Sequence, residues 1–336
     1  MIRSPIPKIL VVSPDLSETS SWYRAAGPMS YLAKTGQVEC TFCTPDMKLA
    51  WPMIMKHDIL LILRPAFPSY AYLCRRAKDM GLKVWVDHDD NLLSLPYAHP
   101  EWNHFSSDQV RDSILECMRL ADVITVTTEN LRGAFQNIKG ITNDIRVIPN
   151  AIDDYLFPEP KAPRQAPNKI IAWRGGNSHA QDLAIVKDDV RKLVELGYRF
   201  VFFGMKPHVL EPVLPLGTWS HIPWNGEVDT FLRKLSDLNA SFHMVPLENN
   251  DLNKAKSNIA WLEASWHGGS ACLVSDIGSD EWKDANQVEN ISLGIINMEG
   301  GASKAIASQK VIRDCFLLSH VNKQRADLVR QLMEIK

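Results

Sequence analysis

Three stretches of the sequence carry residue types that could do chemistry. The first runs Pro246-Leu-Glu-Asn-Asn-Asp-Leu-Asn-Lys-Ala-Lys-Ser-Asn-Ile-Ala-Trp-Leu-Glu-Ala-Ser-Trp-His-Gly-Gly269. Ser257 is a good N-cap for a helix that ends at the glycine pair. The start of such a helix offers free backbone N–H groups and the positive end of the dipole, which together suit a phosphate. Lys256, and with it Lys254, adds mobile cations beside that start. Glu263 lies about 9 Å further along the axis at a rise of ~1.5 Å per residue. A diphosphate on the helix start and a ribose near Glu263 would fit that separation. The competing reading is a capped core helix with solvated lysines.

The second stretch is Ile170-Ile-Ala-Trp-Arg-Gly-Gly-Asn-Ser-His-Ala-Gln-Asp182. A strand runs into Gly175 and Gly176, then a polar turn, then a helix. Glycines let a ligand approach the backbone closely, and Arg174 supplies a fixed charge for phosphate. No Gly-Lys-Ser/Thr follows, so this is not a P-loop. His179 either caps or packs against the turn, or touches a ligand. The bland alternative is a plain strand–helix turn. The third stretch, Val84-Trp-Val-Asp-His-Asp-Asp-Asn91, sets Asp87, His88, Asp89 and Asp90 at a strand end. Close carboxylates repel and need cations, hydrogen bonds or hydroxyl donors. Sugar hydroxyls are such donors; a Mg²⁺ site is conceivable but the spacing is generic; capping of the next turn would also satisfy the cluster.

Other features are weaker. Ser13-Pro-Asp-Leu-Ser-Glu-Thr-Ser-Ser-Trp-Tyr-Arg24 follows the first apolar run without the glycine fingerprint of dinucleotide binding, which argues against a dehydrogenase. Arg24 suits a ligand or a carboxylate partner. Arg64, Arg75, Arg76 and Lys78 form the densest basic cluster and read as a solvated helix face. Cys40-Thr-Phe-Cys43 sits in a strand-like alternation and has no second pair to complete a metal site. Trp102, in a polar loop, could stack on an acceptor.

The elements that must position these residues alternate. Strands are expected at Lys8–Ser13, Val38–Cys43, Asp58–Leu63, Leu82–Asp87, Asp122–Thr127 and Ile145–Pro149. They restart at Lys169–Trp173, Arg199–Phe203, Ala240–Val245, Ala271–Ser275 and Leu293–Asn297. Helical patterns fill Ser69–Met80, Ser107–Leu120, Glu129–Ile138, His179–Leu196, Val228–Asp237 and Asn258–His267. Such alternation specifies parallel sheets covered on both faces. Between the two series, Pro158–Pro167 packs four prolines into ten residues, a stiff linker. The expected division is an acceptor-side domain over 1–157, a linker over 158–168, a nucleotide-side domain over 169–319 and a C-terminal helix over 320–336. Ligands of open α/β sheets bind beyond the carboxyl ends of the strands, where the three stretches fall.

At 336 residues the chain suits two domains. Residues 1–157 carry 16 Lys+Arg against 18 Asp+Glu and the remainder 21 of each, so neither half is a general polyanion binder. No apolar run reaches the roughly 20 residues of a membrane span. The N-terminus lacks the pattern of a secretory signal, and the expected location is cytoplasmic.

The order Tyr23-Arg24, Asp87-His-Asp-Asp90, Ala121-Asp-Val-Ile-Thr-Val-Thr-Thr128, Val147-Ile-Pro-Asn-Ala-Ile-Asp153, Gly175-Gly176 and Asn253-Lys-Ala-Lys-Ser-Asn-Ile-Ala-Trp-Leu-Glu263 resembles the family 4-like glycosyltransferases over Lys8 to about Gly278. The resemblance implies a GT-B fold, two Rossmann-like domains with parallel sheets facing a central cleft. It implies transfer of a sugar from a nucleoside-diphosphate sugar, a UDP-sugar by preference, to a hydroxyl acceptor with retention. The acceptor would be a saccharide or a hydroxylated base in viral DNA. It implies that His88 contacts the donor sugar, Arg174 the diphosphate and Glu263 the ribose. The family's first acid falls at Ala255, a departure that leaves Glu248 to approach the sugar from the preceding loop. Leaving-group charge would meet Arg174, Lys256 and the Ser257 helix start, so no metal or cofactor is called for. Asp87, Asp89 and Asp90 would orient the acceptor or serve as base. The rival readings are a nucleotide-sugar binding protein without turnover, and an epimerase or hydrolase of the same architecture.

Overall fold

The computed structural model describes residues 6–44, 51–164, 166, 168–224, 226–298 and 301–334. Among these residues twelve strands build two six-stranded sheets, every pairing parallel. The first sheet takes β1 (Lys8–Val12), β2 (Glu39–Cys43), β3 (Ile59–Leu63), β4 (Lys83–His88), β5 (Val123–Val126) and β6 (Ile145–Val147), in the order β2-β1-β3-β4-β5-β6. The second takes β7 (Ile170–Gly175), β8 (Arg199–Gly204), β9 (Trp219–Ile222), β10 (Phe242–Val245), β11 (Ala271–Ser275) and β12 (Asn286–Val288), in the order β12-β11-β10-β7-β8-β9. Central strands are apolar on both faces because helices cover both; Ile59, Leu60, Leu61, Ile62 and Leu63 are all buried.

Strand order reverses between β1 and β3 in the first sheet and between β7 and β10 in the second. At such a switch the loops leave the sheet in opposite directions and open a crevice at the carboxyl ends. The two crevices face each other across the domain boundary.

Several expectations need correction. Leu293–Asn297 is not a strand but lies in the helix Ile291–Asn297. Asn290 caps it by accepting from the Leu293 N–H at 2.8 Å, and Gly294 packs so tightly on Leu273 and Val288 that a Cβ would come within 2.8 Å. The strands β9 and β12 and the helix Gly301–Cys315 were not expected from the sequence; the two strands run only four and three residues at sheet edges, too short for a periodicity. Arg75, Arg76 and Lys78 do lie on a helix, Pro68–Asp79, but Arg64 lies at the end of β3. The proline-rich segment is pinned to the second domain. The Lys161 N–H donates to Trp266 O at 2.8 Å, its Nζ to Ser236 O at 3.0 Å, and Gln309 Nε2 donates to Lys161 O at 2.8 Å. Gln165 and Pro167 lie outside the described residues.

The helix Leu318–Glu334 returns to the first domain. Leu318, Val321, Leu328, Val329 and Leu332 join Ile9, Val11, Ile59 and Trp85 in one apolar cluster. The return crossing is held by Ile152, whose N–H donates to Phe316 O at 2.8 Å and whose carbonyl accepts from the Leu318 N–H at 2.8 Å. Residues 335 and 336 lie outside the described residues. No helix among the described residues is long and apolar enough to cross a membrane.

Candidate functional site

A cavity of about 410 Å³ opens where the two crevices meet. From the first domain it is lined by Glu18, Thr19 and Tyr23 after β1, Arg64 after β3, Asp89 and Asp90 after β4, and His99 and Glu101 beyond them. From the second domain come Arg174 near the end of β7, Gly176 and His179 after it, Pro246 and Leu247 after β10, and Lys256, Ser257, Ile259 and Ala260 at the start of the helix Ile259–Trp266.

The carboxylate cluster divides by the pleat of β4. Side chains alternate along a strand, so Val84, Val86 and His88 turn to one face while Trp85 and Asp87 turn to the other. Asp87 is buried and spent. Its two oxygens accept Arg24 Nε at 2.9 Å and Nη2 at 2.7 Å, and Thr125 Oγ1 at 2.5 Å. Arg24 Nη1 donates to Ile148 O at 2.6 Å and Asn150 Oδ1 at 3.2 Å, so this guanidinium is spent as well. Asp87 therefore cannot act on an acceptor, and Arg24 is its structural partner. His88 also turns away from the cavity. It is 1% exposed, its ring meets Phe135 edge-on at 5.1 Å, and neither nitrogen has a hydrogen-bond partner among the described residues. Contact between His88 and a donor sugar is incompatible with this placement.

Past the strand end, Asp89 and Asp90 do reach the cavity. Arg64 grips Asp89 through Nε and, at 2.6 Å, through Nη2, and Nη2 also reaches Asp90 at 3.3 Å. Arg64 adopts a left-handed backbone (φ 48°) and its N–H donates to Asp87 O at 3.0 Å, which turns its side chain across the end of β4. The shared cation splits the pair. Burial works to raise Asp89, but Arg64 outweighs it and holds that carboxyl below its ordinary range. Burial, then the charge of Asp89, pushes Asp90 above its ordinary range. Of the two carboxyls, Asp90 is the one that holds a proton more readily.

On the second domain Arg174 Nε lies 2.7 Å from Glu263 Oε2, and Tyr23 donates across the domain boundary to Glu263 Oε1 at 2.9 Å. Glu263 is fully buried beneath the cavity floor, and burial raises its carboxyl pKa in spite of both partners. Arg174 stands between it and the cavity. A direct ribose contact by Glu263 does not fit this arrangement. Ser257 lines the cavity but is not the N-cap; Asn258 is, and Ser257 Oγ instead accepts Asn150 Nδ2 at 2.8 Å across the boundary. Lys256 lines the cavity with no ion pair to a described residue, its charge felt by Asp90, His99, His179 and Asp182. Glu248 is absent from the lining; its Oε2 accepts Asn250 Nδ2 at 3.0 Å.

The two glycines serve different ends. A Cβ on Gly175 would strike the Trp173 ring at 2.6 Å, a packing demand. A Cβ on Gly176 would meet nothing within 4 Å, so its backbone is open to a ligand. Gly176, Arg174 and Thr19 also line a second, contiguous cavity of about 380 Å³, walled by Phe203, Met205, Trp224 and Phe231. Trp102 is not among the lining residues; its ring packs on Tyr97 at 4.8 Å. No group of three His, Cys, Asp or Glu among the described residues is arranged to hold a metal ion.

Sequence reading missed Tyr23, Glu18, His99, Glu101 and, above all, Arg64 as site residues. A signal for Arg64 existed, since it directly follows the unbroken apolar run of β3.

Burial also has a consequence for stability. His88 and His179 are held down to about 4, and His243 and His267 to about 3, each chiefly by burial. These imidazoles stay neutral in the folded chain while the unfolded chain protonates them below about pH 6.5. Their contribution is therefore complete above pH 6.5 and is lost as pH falls toward 4, by about 1.4 kcal/mol per histidine per pH unit. Denaturant midpoints measured at pH 7.5, 6 and 5 should fall steeply, and His88→Leu should flatten the slope by about one histidine's worth. A midpoint constant from pH 7 to 5 would contradict the burial of these rings.

The sequence matches no protein-family model and no curated protein. Solved structures do match. An alpha-glucosyltransferase in complex with UDP and a 13-mer DNA shares 13% identity over 97% of this chain and 100% of its own, with a TM-score of 0.69. Sucrose-phosphate synthase from Thermosynechococcus elongatus shares 10% over 98% and 100%, with a TM-score of 0.67. HepE of Anabaena in complex with UDP shares 11% over 96% and 100%, with a TM-score of 0.63. At these identities the likeness is one of architecture, and with two facing parallel sheets and a cleft at their carboxyl ends, the chain has the GT-B fold of these glycosyltransferases.

Proposed function

We propose that the chain is a glycosyltransferase that takes a sugar from a nucleoside-diphosphate sugar, with UDP the preferred nucleotide, and passes it to a hydroxyl acceptor with retention. The observation that carries this reading is the convergence on one cavity of Lys256, Arg174, the open backbone of Gly176 and the start of the helix Ile259–Trp266. These are donors for a diphosphate at the switch point of the second sheet. The flat base would enter the contiguous aromatic cavity of Phe203, Met205, Trp224 and Phe231. Residues 169–319 would thus hold the nucleotide and 1–157 receive the acceptor.

The sugar would then face Asp89, Asp90 and Arg64. Asp90 is the group suited to accept the acceptor hydroxyl's proton, because its carboxyl is held above its ordinary range. Charge developing on the diphosphate would be met by Lys256, Arg174 and the helix start, an electrostatic role that asks for no metal. The relatives bound to UDP support the nucleotide, and the one bound to DNA keeps a nucleic acid beside saccharides as acceptor. The test is a panel of nucleotide sugars read by thermal shift and by product analysis, with and without EDTA. A stabilising nucleotide sugar whose sugar then appears on an added hydroxyl acceptor is the expected result; failure of every member to bind overturns the reading.

A second reading, nucleotide-sugar binding without turnover, is favoured by Ala255 at the position of the family's first acid and by the burial of Glu263, paired with Arg174 and bonded by Tyr23. Binding with no sugar release or transfer across the panel would select it. An altered sugar still on its nucleotide would mark an epimerase, and release confined to water a hydrolase.

A further inference from the structure

His179 is the one cavity-lining histidine among the described residues that is backed by a buried carboxylate. Its Nδ1 lies 2.8 Å from Asp182 Oδ2. Asp182 is 4% exposed, and its other oxygen is fixed by the Glu248 N–H at 2.8 Å and by Asn253 Nδ2 at 2.7 Å. The carboxylate therefore cannot swing away, and it holds the imidazole with Nδ1–H toward itself. The opposite ring nitrogen, Nε2, is left for the cavity, where His179 stands with Gly176, Arg174 and Lys256. A bonded Asp–His pair facing a group of phosphate donors is more than a helix cap requires.

We infer that His179 and Asp182 form a proton-accepting pair that meets the diphosphate of the donor, so that nucleotide binding draws a proton from solvent onto His179 Nε2. The inference rests on the donor placement proposed above. The step consumes only that proton; neutral imidazole becomes imidazolium, clasped between the Asp182 carboxylate and a phosphate oxygen. The charged groups that face the ring are Asp182 on the helix Ala180–Ala184 that follows it, Arg174 from β7 and Lys256 from the turn ahead of Ile259–Trp266. Without nucleotide, burial and then the charge of Lys256 keep the imidazole neutral, down to about 4. Arg174 already has Glu263 as counter-charge. A diphosphate would occupy Lys256 and bring its own negative charge beside Nε2, reversing the balance, since unit charges a few ångströms apart interact strongly in such partly buried surroundings. When the bond from the sugar to the diphosphate breaks, the terminal phosphate gains a further negative charge. An imidazolium already in contact would stabilise it.

The experiment is calorimetric titration of the full chain with UDP at pH 7, in buffers of differing protonation heat. The expected result is roughly half a proton or more taken up per UDP bound. UDP's own terminal phosphate can also change its protonation on binding, and His179→Gln keeps that part while removing the ring. The variant should take up less than about a quarter of the parent value. Asp182→Asn, which withdraws the counter-charge but leaves the ring, should also lower the uptake. Between pH 6 and 8 the parent's UDP affinity should weaken with rising pH more steeply than the variant's, by up to about tenfold per pH unit. A purely structural His179 would shift melting temperature and leave proton uptake at the parent value, and that overturns the inference. If His179→Gln fails to fold, Asp182→Asn decides, with unchanged uptake again overturning it. UDP binding without excess uptake removes this inference alone, whereas a parent that binds none of UDP, ADP and GDP removes the donor reading and this inference with it.

Discussion

Asp87→Ala is expected to destabilise the chain by about 3–5 kcal/mol, the usual cost of leaving a buried charge without its partner. The orphaned group would be Arg24, 1% exposed, whose Nε and Nη2 now rest on Asp87 at 2.9 and 2.7 Å. The damage should spread, because Thr125 Oγ1 bonds Asp87 and also accepts from Trp85 Nε1 at 2.7 Å. The measurement is the denaturant midpoint of the first domain's transition, followed together with UDP affinity. Affinity should stay within about twofold of the parent in protein that remains folded, since no nucleotide-side residue touches Asp87. Replacing both partners, with Arg24→Met and Asp87→Leu together, should recover much of the loss, as apolar pairs often substitute for buried ion pairs. A chemical role for Asp87 predicts the reverse: normal stability with transfer abolished.

Lys256→Ala should weaken UDP binding by about ten- to a hundredfold, the equivalent of one charge-assisted hydrogen bond at ~1.5–3 kcal/mol. Stability should hardly change, because Lys256 has no ion pair to lose among the described residues. That contrast makes it the cleaner probe of the diphosphate. Arg174→Met would strip Glu263 of its cation, and the fully buried carboxylate would then destabilise the fold and blur any loss of affinity. Lys256→Arg should restore part of the binding, as it keeps the charge and changes its reach. Calorimetry with UDP on the two Lys256 variants, beside melting curves, checks this. Lys256→Ala binding like the parent would move the diphosphate elsewhere and take the proposed donor site with it.

The local alternation of apolar runs and amphipathic stretches was enough to expect two parallel α/β sheets on either side of residues 158–168. That pattern is short-range: a strand buried on both faces must be apolar throughout, whatever lies across the cleft. The same logic placed Asp89, Asp90, Arg174, Gly176 and Lys256 at carboxyl ends of strands, and they do line one cavity. What local pattern could not supply was the direction in which each side chain is spent. Neighbouring residues of β4 point to opposite faces, so Asp87 and His88, adjacent in sequence, leave the cavity on opposite sides while Asp89 and Asp90 beyond the strand enter it. The partners that decide this lie far along the chain. Arg24 is 63 residues from Asp87, and Tyr23 is 240 from Glu263. Arg64 gains its role from the pairing of β3 with β4, which sets it beside Asp89 and Asp90, and the short edge strands β9 and β12 carry no period that a sequence could display. Sequence by itself determined the central strands, most of the helices between them and which loops face the cleft, because those follow from periodicity and turn chemistry. Only the tertiary structure decided which charges neutralise one another inside the fold and which remain for a ligand, because pairing depends on distances between segments that the order of residues does not encode.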